Sequence, residues 1–250
     1  MKNIIFILMV VSIFFSCKKD DPTPPPPAAD KYVSITVDPT YGNQTLYLDS
    51  VFTTSEGYKV KFTDLKFYVS ALRNGTDTLT KAALFDFSST GNLLTRIIGD
   101  YNKFTVLQGN IGVIQSLNHL DPSAFPNDSP LNISNAGTMH WGWNTGYIFI
   151  SIEGKTDTIP DANLNLNHSF SFHVGTDNFL ETMSFSNVNW QSISDNENRF
   201  KLKLDLLSFL QSPTQAIDLK NEFLSHSGSG QEVLALKVAQ NFKQALTAQL

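Results

Sequence analysis

Short runs in which apolar and polar residues alternate, cut apart by turn residues, recur along most of this chain and restrict it to a β architecture. Successive side chains of a strand point to opposite faces, so a period of two marks a ribbon with one face in a core. Tyr32 to Val37, Tyr58 to Phe62, Leu65 to Leu72, Ala83 to Phe87 and Phe104 to Leu107 read this way. So do Tyr147 to Glu153, His168 to Val174, Thr182 to Val188 and Phe200 to Leu206. Asn74-Gly75 is a hairpin turn signal between two of them. Many short strands between turns fold as a sandwich or barrel. The expected class is mainly β, an antiparallel β-sandwich of immunoglobulin-like or jelly-roll-like type.

The period changes at the end. From Gln231 onward, Val233, Leu234, Leu236, Val238, Phe242, Ala245 and Leu246 recur at helical spacing, which predicts one C-terminal α-helix packed on the sheets. His119 to Ala136 is rich in Pro, Asn, Asp and Ser and reads as a long surface loop. No internal repeat is visible. Residues 30–250 are long enough for a single well-buried domain.

The start of the chain speaks of location. Lys2 precedes an apolar run from Ile4 to Phe15, shorter than the roughly 20 residues that span a bilayer. Ser16 and then Cys17 follow, so residues 1–17 read as a lipoprotein signal ending at a lipidated Cys17. Cys17 is the one cysteine of the chain, so the domain has no disulfide and no thiolate cluster. Residues 18–29 are charged and then proline-rich, an extended tether able to hold a domain roughly 40 Å from a membrane. The Cys-Lys-Lys-Asp-Asp start resembles the acidic export tags of Bacteroidota surface lipoproteins, which implies the outer membrane and an outward face.

Charge and motifs exclude several functions. Net charge is −5 and no basic stripe occurs, which argues against nucleic acid. No phosphate-binding glycine loop and no G-x-S-x-G elbow is present. No carboxylate pair stands out as an acid–base dyad, so no enzyme activity is expected.

The densest chemistry lies at Met139-His140-Trp141-Gly142-Trp143, just ahead of the strand from Tyr147 to Glu153. Other notable pieces are Phe62-Thr63-Asp64-Leu65-Lys66-Phe67-Tyr68-Val69-Ser70, Asn110-Ile111-Gly112-Val113, Phe170-Ser171-Phe172-His173-Val174-Gly175 and His226-Ser227. In this order they resemble the signatures of MbnP-like proteins, a group of secreted and lipid-anchored β-proteins. The resemblance implies a sandwich-like domain and a mononuclear copper site built from histidines and a tryptophan oxidised to kynurenine. It also implies a di-haem peroxidase-type partner that performs the oxidation. Copper-binding relatives place a histidine two residues after the modified tryptophan; here that position after Trp141 is Trp143.

Imidazole suits copper, and thioether suits its reduced ion. The candidate ligands are His173, His140, His226 and His119, with Trp141, Trp143, Tyr147 and Met139 as modified or site-lining residues. His173 shares a strand face with Ser171 and Gly175, and the glycine leaves room beside it. An extended backbone at Met139–Asn144 puts His140 on one side and Trp141 and Trp143 on the other. Each of these residues has a structural reading too: a hydrogen-bonded histidine, a packing tryptophan, a gap-filling methionine. The expected function is a lipid-anchored envelope protein that captures or hands over copper. The alternative is a surface interaction module, free of metal, that binds a glycan, peptide or partner protein through clustered aromatics and the long loop. Convergence of two or more of the four histidines separates the two.

Overall fold

The computed structural model describes residues 29–142, 145–159, 161 and 163–249. The chain opens with β1 (Tyr32–Tyr41), β2 (Gln44–Thr45), β3 (Val51–Thr53), the long β4 (Lys59–Asn74) and β5 (Asp77–Asp86). A turn of helix, α1 (Phe87–Thr90), leads to β6 (Leu93–Ile98) and β7 (Val106–Ile111). The loop region that follows carries α2 (Gln115–Asn118) and α3 (Ile133–Ala136). Then come β8 (His140–Gly142), β9 (Gly146–Asp157), β10 (His168–Gly175), β11 (Glu181–Ser186), β12 (Gln191–Ser194) and β13 (Glu197–Asp205). Last are α4 (Leu206–Leu210), β14 (Leu224–Ser225), α5 (Glu232–Ala245) and β15 (Leu246–Ala248).

These strands form two sheets, as the alternating pattern requires. One runs β12-β13-β1-β2, with β15 on β13 and β6 on β1. The other runs β11-β7-β4-β9-β10-β14, with β3 and β5 on β4 and β8 on β9. One apolar core joins them. Phe185 of β11 meets Phe200 of β13 at 5.6 Å between ring centroids. Phe242 of α5 meets Phe67 of β4 at 4.9 Å, and Phe209 of α4 meets Phe172 of β10 at 6.2 Å. The fold is mainly β and sandwich-like, with a C-terminal helix. Its sheets are mixed: β1 pairs with β13, and β10 with β14, in parallel. The pairing of β1 with β13 joins segments far apart in the chain, a link that local periodicity does not encode.

Two expected strands, Tyr58–Phe62 and Leu65–Leu72, are one strand, β4. A register shift between Phe62 and Asp64 absorbs the irregular residue between them. Asn74-Gly75 does turn the chain into β5, with Gly75 at φ +57°. The loop from His119 to Ala136 is tied down. Tyr68 donates its hydroxyl to the carbonyl of Pro130 at 2.9 Å, and Tyr147 donates to that of Leu131.

The terminal helix buries Val238, Phe242 and Ala245 as its apolar spacing suggests, but not every apolar residue of that pattern. Ala235, Val238, Ala239, Asn241, Phe242 and Ala245 face the core. Val233 is 81% exposed, and Leu236 also faces solvent. Buried Asn241 donates to the carbonyls of Phe209 (2.9 Å) and Gln215 (3.0 Å), bonds that hold the α4 segment to α5. Among the described residues, no helix is long and apolar enough to cross a membrane. Cys17 and the tether lie outside the described residues.

Candidate functional site

The site grows out of the antiparallel ladder between β9 and β10. Ser171 lies opposite Glu153, and His173 opposite Ser151. Alternation sends Phe170, Phe172 and Ile152 into the core, so Ser171, His173, Ser151 and Glu153 share the other face. Glu153 is therefore the diagonal neighbour of His173, a separation that long side chains bridge. The Glu153 carboxylate lies 2.7 Å from His173 Nε2, and the Ser171 hydroxyl 3.3 Å from the same nitrogen.

A distant segment delivers a second imidazole. β14 adds in parallel to the edge of β10, pairing Ser225 with Phe172. The next residue, His226, lies over His173 with ring centroids 4.8 Å apart and planes 17° from parallel. The 4.8 Å between ring centroids makes the two imidazoles immediate neighbours, although they come from segments far apart in the chain. Ser227 locks the arrangement. Its hydroxyl accepts from the Gly175 amide at 3.0 Å and donates to the His173 carbonyl at 3.4 Å. Ser227 sits at φ +57°, a left-handed conformation that a residue with a Cβ adopts only where its surroundings require it. The His226 amide donates to the side chain of Gln231 at 2.7 Å, which ties it to the start of α5. Burial, and then the His173 imidazole, push the His226 pKa below the usual histidine value, against the pull of Glu153. A neutral imidazole is the form that binds a metal.

Trp141 lies against Gly175, at the end of the same strand as His173. A Cβ on Gly175 would fall 2.8 Å from Cζ3 of the Trp141 ring and 2.5 Å from the Tyr147 carbonyl. The glycine therefore lets the indole lie directly on β10, two residues from His173. His140 turns away and packs edge-on against Tyr147, centroids 4.8 Å apart. Burial lowers its pKa. Tyr147 is a fully buried residue whose phenol burial pushes up to about 12. Met139 is buried in the core, in the packing role its sequence context also allows. Trp143 lies outside the described residues.

His119 is engaged elsewhere. Its Nε2 lies 3.0 Å from Asp177, whose other oxygen accepts from Asn118 at 2.9 Å. Asn118 also accepts from the Tyr147 amide at 2.9 Å. The cluster pins the loop to the end of β10. His168, at the start of β10, packs edge-on to Phe223.

Of the four candidate histidines, then, His173 and His226 meet, while His119 and His140 each have a structural partner. Among the described residues, no group of three or more His, Cys, Asp or Glu side chains is placed to hold a metal ion. The donor set is two imidazoles with a carboxylate bonded to one of them, and an indole lies farther along β10 against Gly175. In kind it fits copper, for which imidazole is a good ligand. Neither Glu153 nor Ser227 was read from the sequence as a site residue, although Ser227 stands in the notable pair His226-Ser227. Glu153 closes the motif that begins at Met139, and that was its one signal.

No curated protein matches the chain. Among solved structures, MbnP from Methylosinus trichosporium is similar, with 16% identity and a TM-score of 0.47 over 76% of this chain and 80% of that one. The MbnP family model matches residues 30–231, most of the chain, and the chain belongs to the MbnP family.

Proposed function

We propose that this protein is a lipid-anchored copper-binding protein of the cell envelope, held at the outer membrane through Cys17, that captures the metal or hands it over without catalysing a reaction. His173 and His226 are the ligands, and Trp141 lines the site. The observation that carries this reading is the stacked pair of imidazoles from separate segments, fixed by Ser227 against an edge occupied by an indole. Family membership supports it, because the family resemblance implies a copper site of histidine and oxidised tryptophan. Trp141 and Trp143 are the residues open to that oxidation, and a di-haem peroxidase-type protein is the partner that would perform it. The indole against Gly175, on the strand that carries His173, is the chemically reasonable target, since an oxidised ring there changes the donor set itself.

Titration of the full chain in detergent with Cu(I) and Cu(II), against competing chelators, tests the proposal. One equivalent is expected to bind tightly, with binding lost in His173→Ala and in His226→Ala and retained in His119→Ala. Intact mass of protein isolated from its native envelope reads the modification, since conversion of one tryptophan to kynurenine adds about 4 Da. Absence of stoichiometric binding in both as-isolated and oxidised protein removes the copper reading and leaves the surface-module alternative.

A further inference from the structure

We infer that Glu153 is a positioning residue of this site: its carboxylate holds His173 as the Nε2–H tautomer, so that Nδ1 is the nitrogen His173 offers to copper. The inference rests on the proposed function and names which atom of His173 performs it. An ionised carboxylate only accepts hydrogen bonds, so a nitrogen 2.7 Å from Glu153 Oε1 must carry the proton. A neutral imidazole has one N–H, which leaves the lone pair on Nδ1. Ser171 approaches the same Nε2 at 3.3 Å, but a charged acceptor at the shorter distance dominates. A carboxylate behind a ligating histidine fixes both its tautomer and its ring orientation.

The surrounding residues keep Glu153 available for this task. Lys66, the cation opposite Ser151 on β4, is taken up by Asp64 at 3.1 Å rather than by Glu153, and Asp64 also accepts from Ser151 at 3.1 Å. The backbone that carries Glu153 is held just as closely. A Cβ on Gly154 would fall 2.2 Å from the Lys61 carbonyl and 2.3 Å from the Phe170 ring, so β9 lies as near to β4 and Phe170 as a glycine permits. The register between β9 and β10 then brings Glu153 diagonally to His173.

The test is nitrogen-15 NMR of the histidine rings in the full chain, in detergent, with and without Cu(I), which is diamagnetic. Metal-free protein is expected to show His173 in the Nε2–H form alone, and Glu153→Ala to show a mixture of tautomers. Addition of Cu(I) is expected to move Nδ1 while the Nε2–H signal persists. Cu(I) affinity should fall by roughly 10–100-fold in Glu153→Ala, and recover in part in Glu153→Gln, whose amide oxygen still accepts. The His168 resonances and the far-ultraviolet circular dichroism report whether each variant is folded. An Nδ1–H tautomer in the metal-free protein, loss of Nε2–H on loading, or unchanged affinity and tautomer in folded Glu153→Ala would overturn the inference alone. Failure of the unaltered chain to bind Cu(I) overturns the proposed function and the ligand half of this inference together, while the metal-free spectrum still reads the tautomer.

Discussion

Gly175 shows how much of the site one missing side chain controls. A methyl group there meets a main-chain oxygen at 2.5 Å and the Trp141 ring at 2.8 Å. The ring can swing away; the Tyr147 carbonyl, paired within the sheet, cannot. Gly175→Ala is therefore expected to cost about 1–3 kcal/mol of stability by overcrowding, read by chemical denaturation, and to expose the indole. The accompanying signal is a red shift of tryptophan emission in the folded variant; unchanged emission would show that the ring does not rest on β10. At this scale the sequence discloses types more readily than meetings. Face-sharing of His173 with Ser171 follows from a period of two and was legible; a register shift between Val174 and Gly175 breaks that period before Gly175. The encounter of His173 with His226 was not, because it depends on β14 joining the edge of β10 across an irregular connection. Glu153 was hidden for a related reason. Its partner is fixed by the register between two strands, which a single sequence does not display.

The helix α5 separates what amphipathic spacing can and cannot tell. Helical spacing correctly located the element, since α5 begins one residue after Gln231. It placed Val238, Phe242 and Ala245 on the buried side, where they are, but Val233 and Leu236 look outward and polar Asn241 looks inward. Tertiary demand explains Asn241: its side-chain amide donates to the carbonyl of Phe209 in α4 and to that of Gln215 in the segment after it. Asn241→Ala should cost about 1–3 kcal/mol by removing both bonds. Phe242, fully buried against Phe67 and Phe209, should cost about 3–5 kcal/mol on replacement by alanine. Val233→Glu should stay within about 0.5 kcal/mol of the unaltered chain. Denaturant midpoints of the three variants give the order directly, and a large loss in Val233→Glu would mean that this face is covered in solution. The family match ends at residue 231, yet the core runs through α5 to β15. A chain ending at Gly230 is accordingly expected to lack near-ultraviolet circular dichroism, with Phe67 and Phe209 uncovered.

The whole molecule should lose stability to acid in two separate steps. His140 and His226 both have folded pKa values below the usual histidine value, held there first by burial. The folded state thus binds fewer protons than the unfolded chain once pH drops below about 6.5, the unfolded histidine value. Their contribution is complete above that pH and declines as pH falls towards their lower folded values. Carboxylates act further down. Glu197 is held below the usual carboxylate range by Arg96 and then Ser34, at the seam where β1, β6 and β13 meet. Asp177 is also lowered: partial burial pushes it up, but hydrogen bonds from His119 and Asn118 outweigh that. For both, the contribution is complete above their unfolded values of about 4 and is lost as pH falls through their folded ones. Melting temperature of the metal-free protein should therefore begin to sag as pH falls below about 6.5, and drop further as it falls below about 4. His140→Gln should reduce the first sag, and Glu197→Gln should weaken the second drop while lowering stability at neutral pH. The ion pair of Glu197 with Arg96 ties β13 to β6 across β1, which pairs with both, and its two residues are far apart in the chain. Its loss should also slow refolding if that long-range closure belongs to the folding transition state, because such contacts bear the largest loop-closure cost. Refolding at an unchanged rate, with only unfolding accelerated, would place the seam late in folding instead.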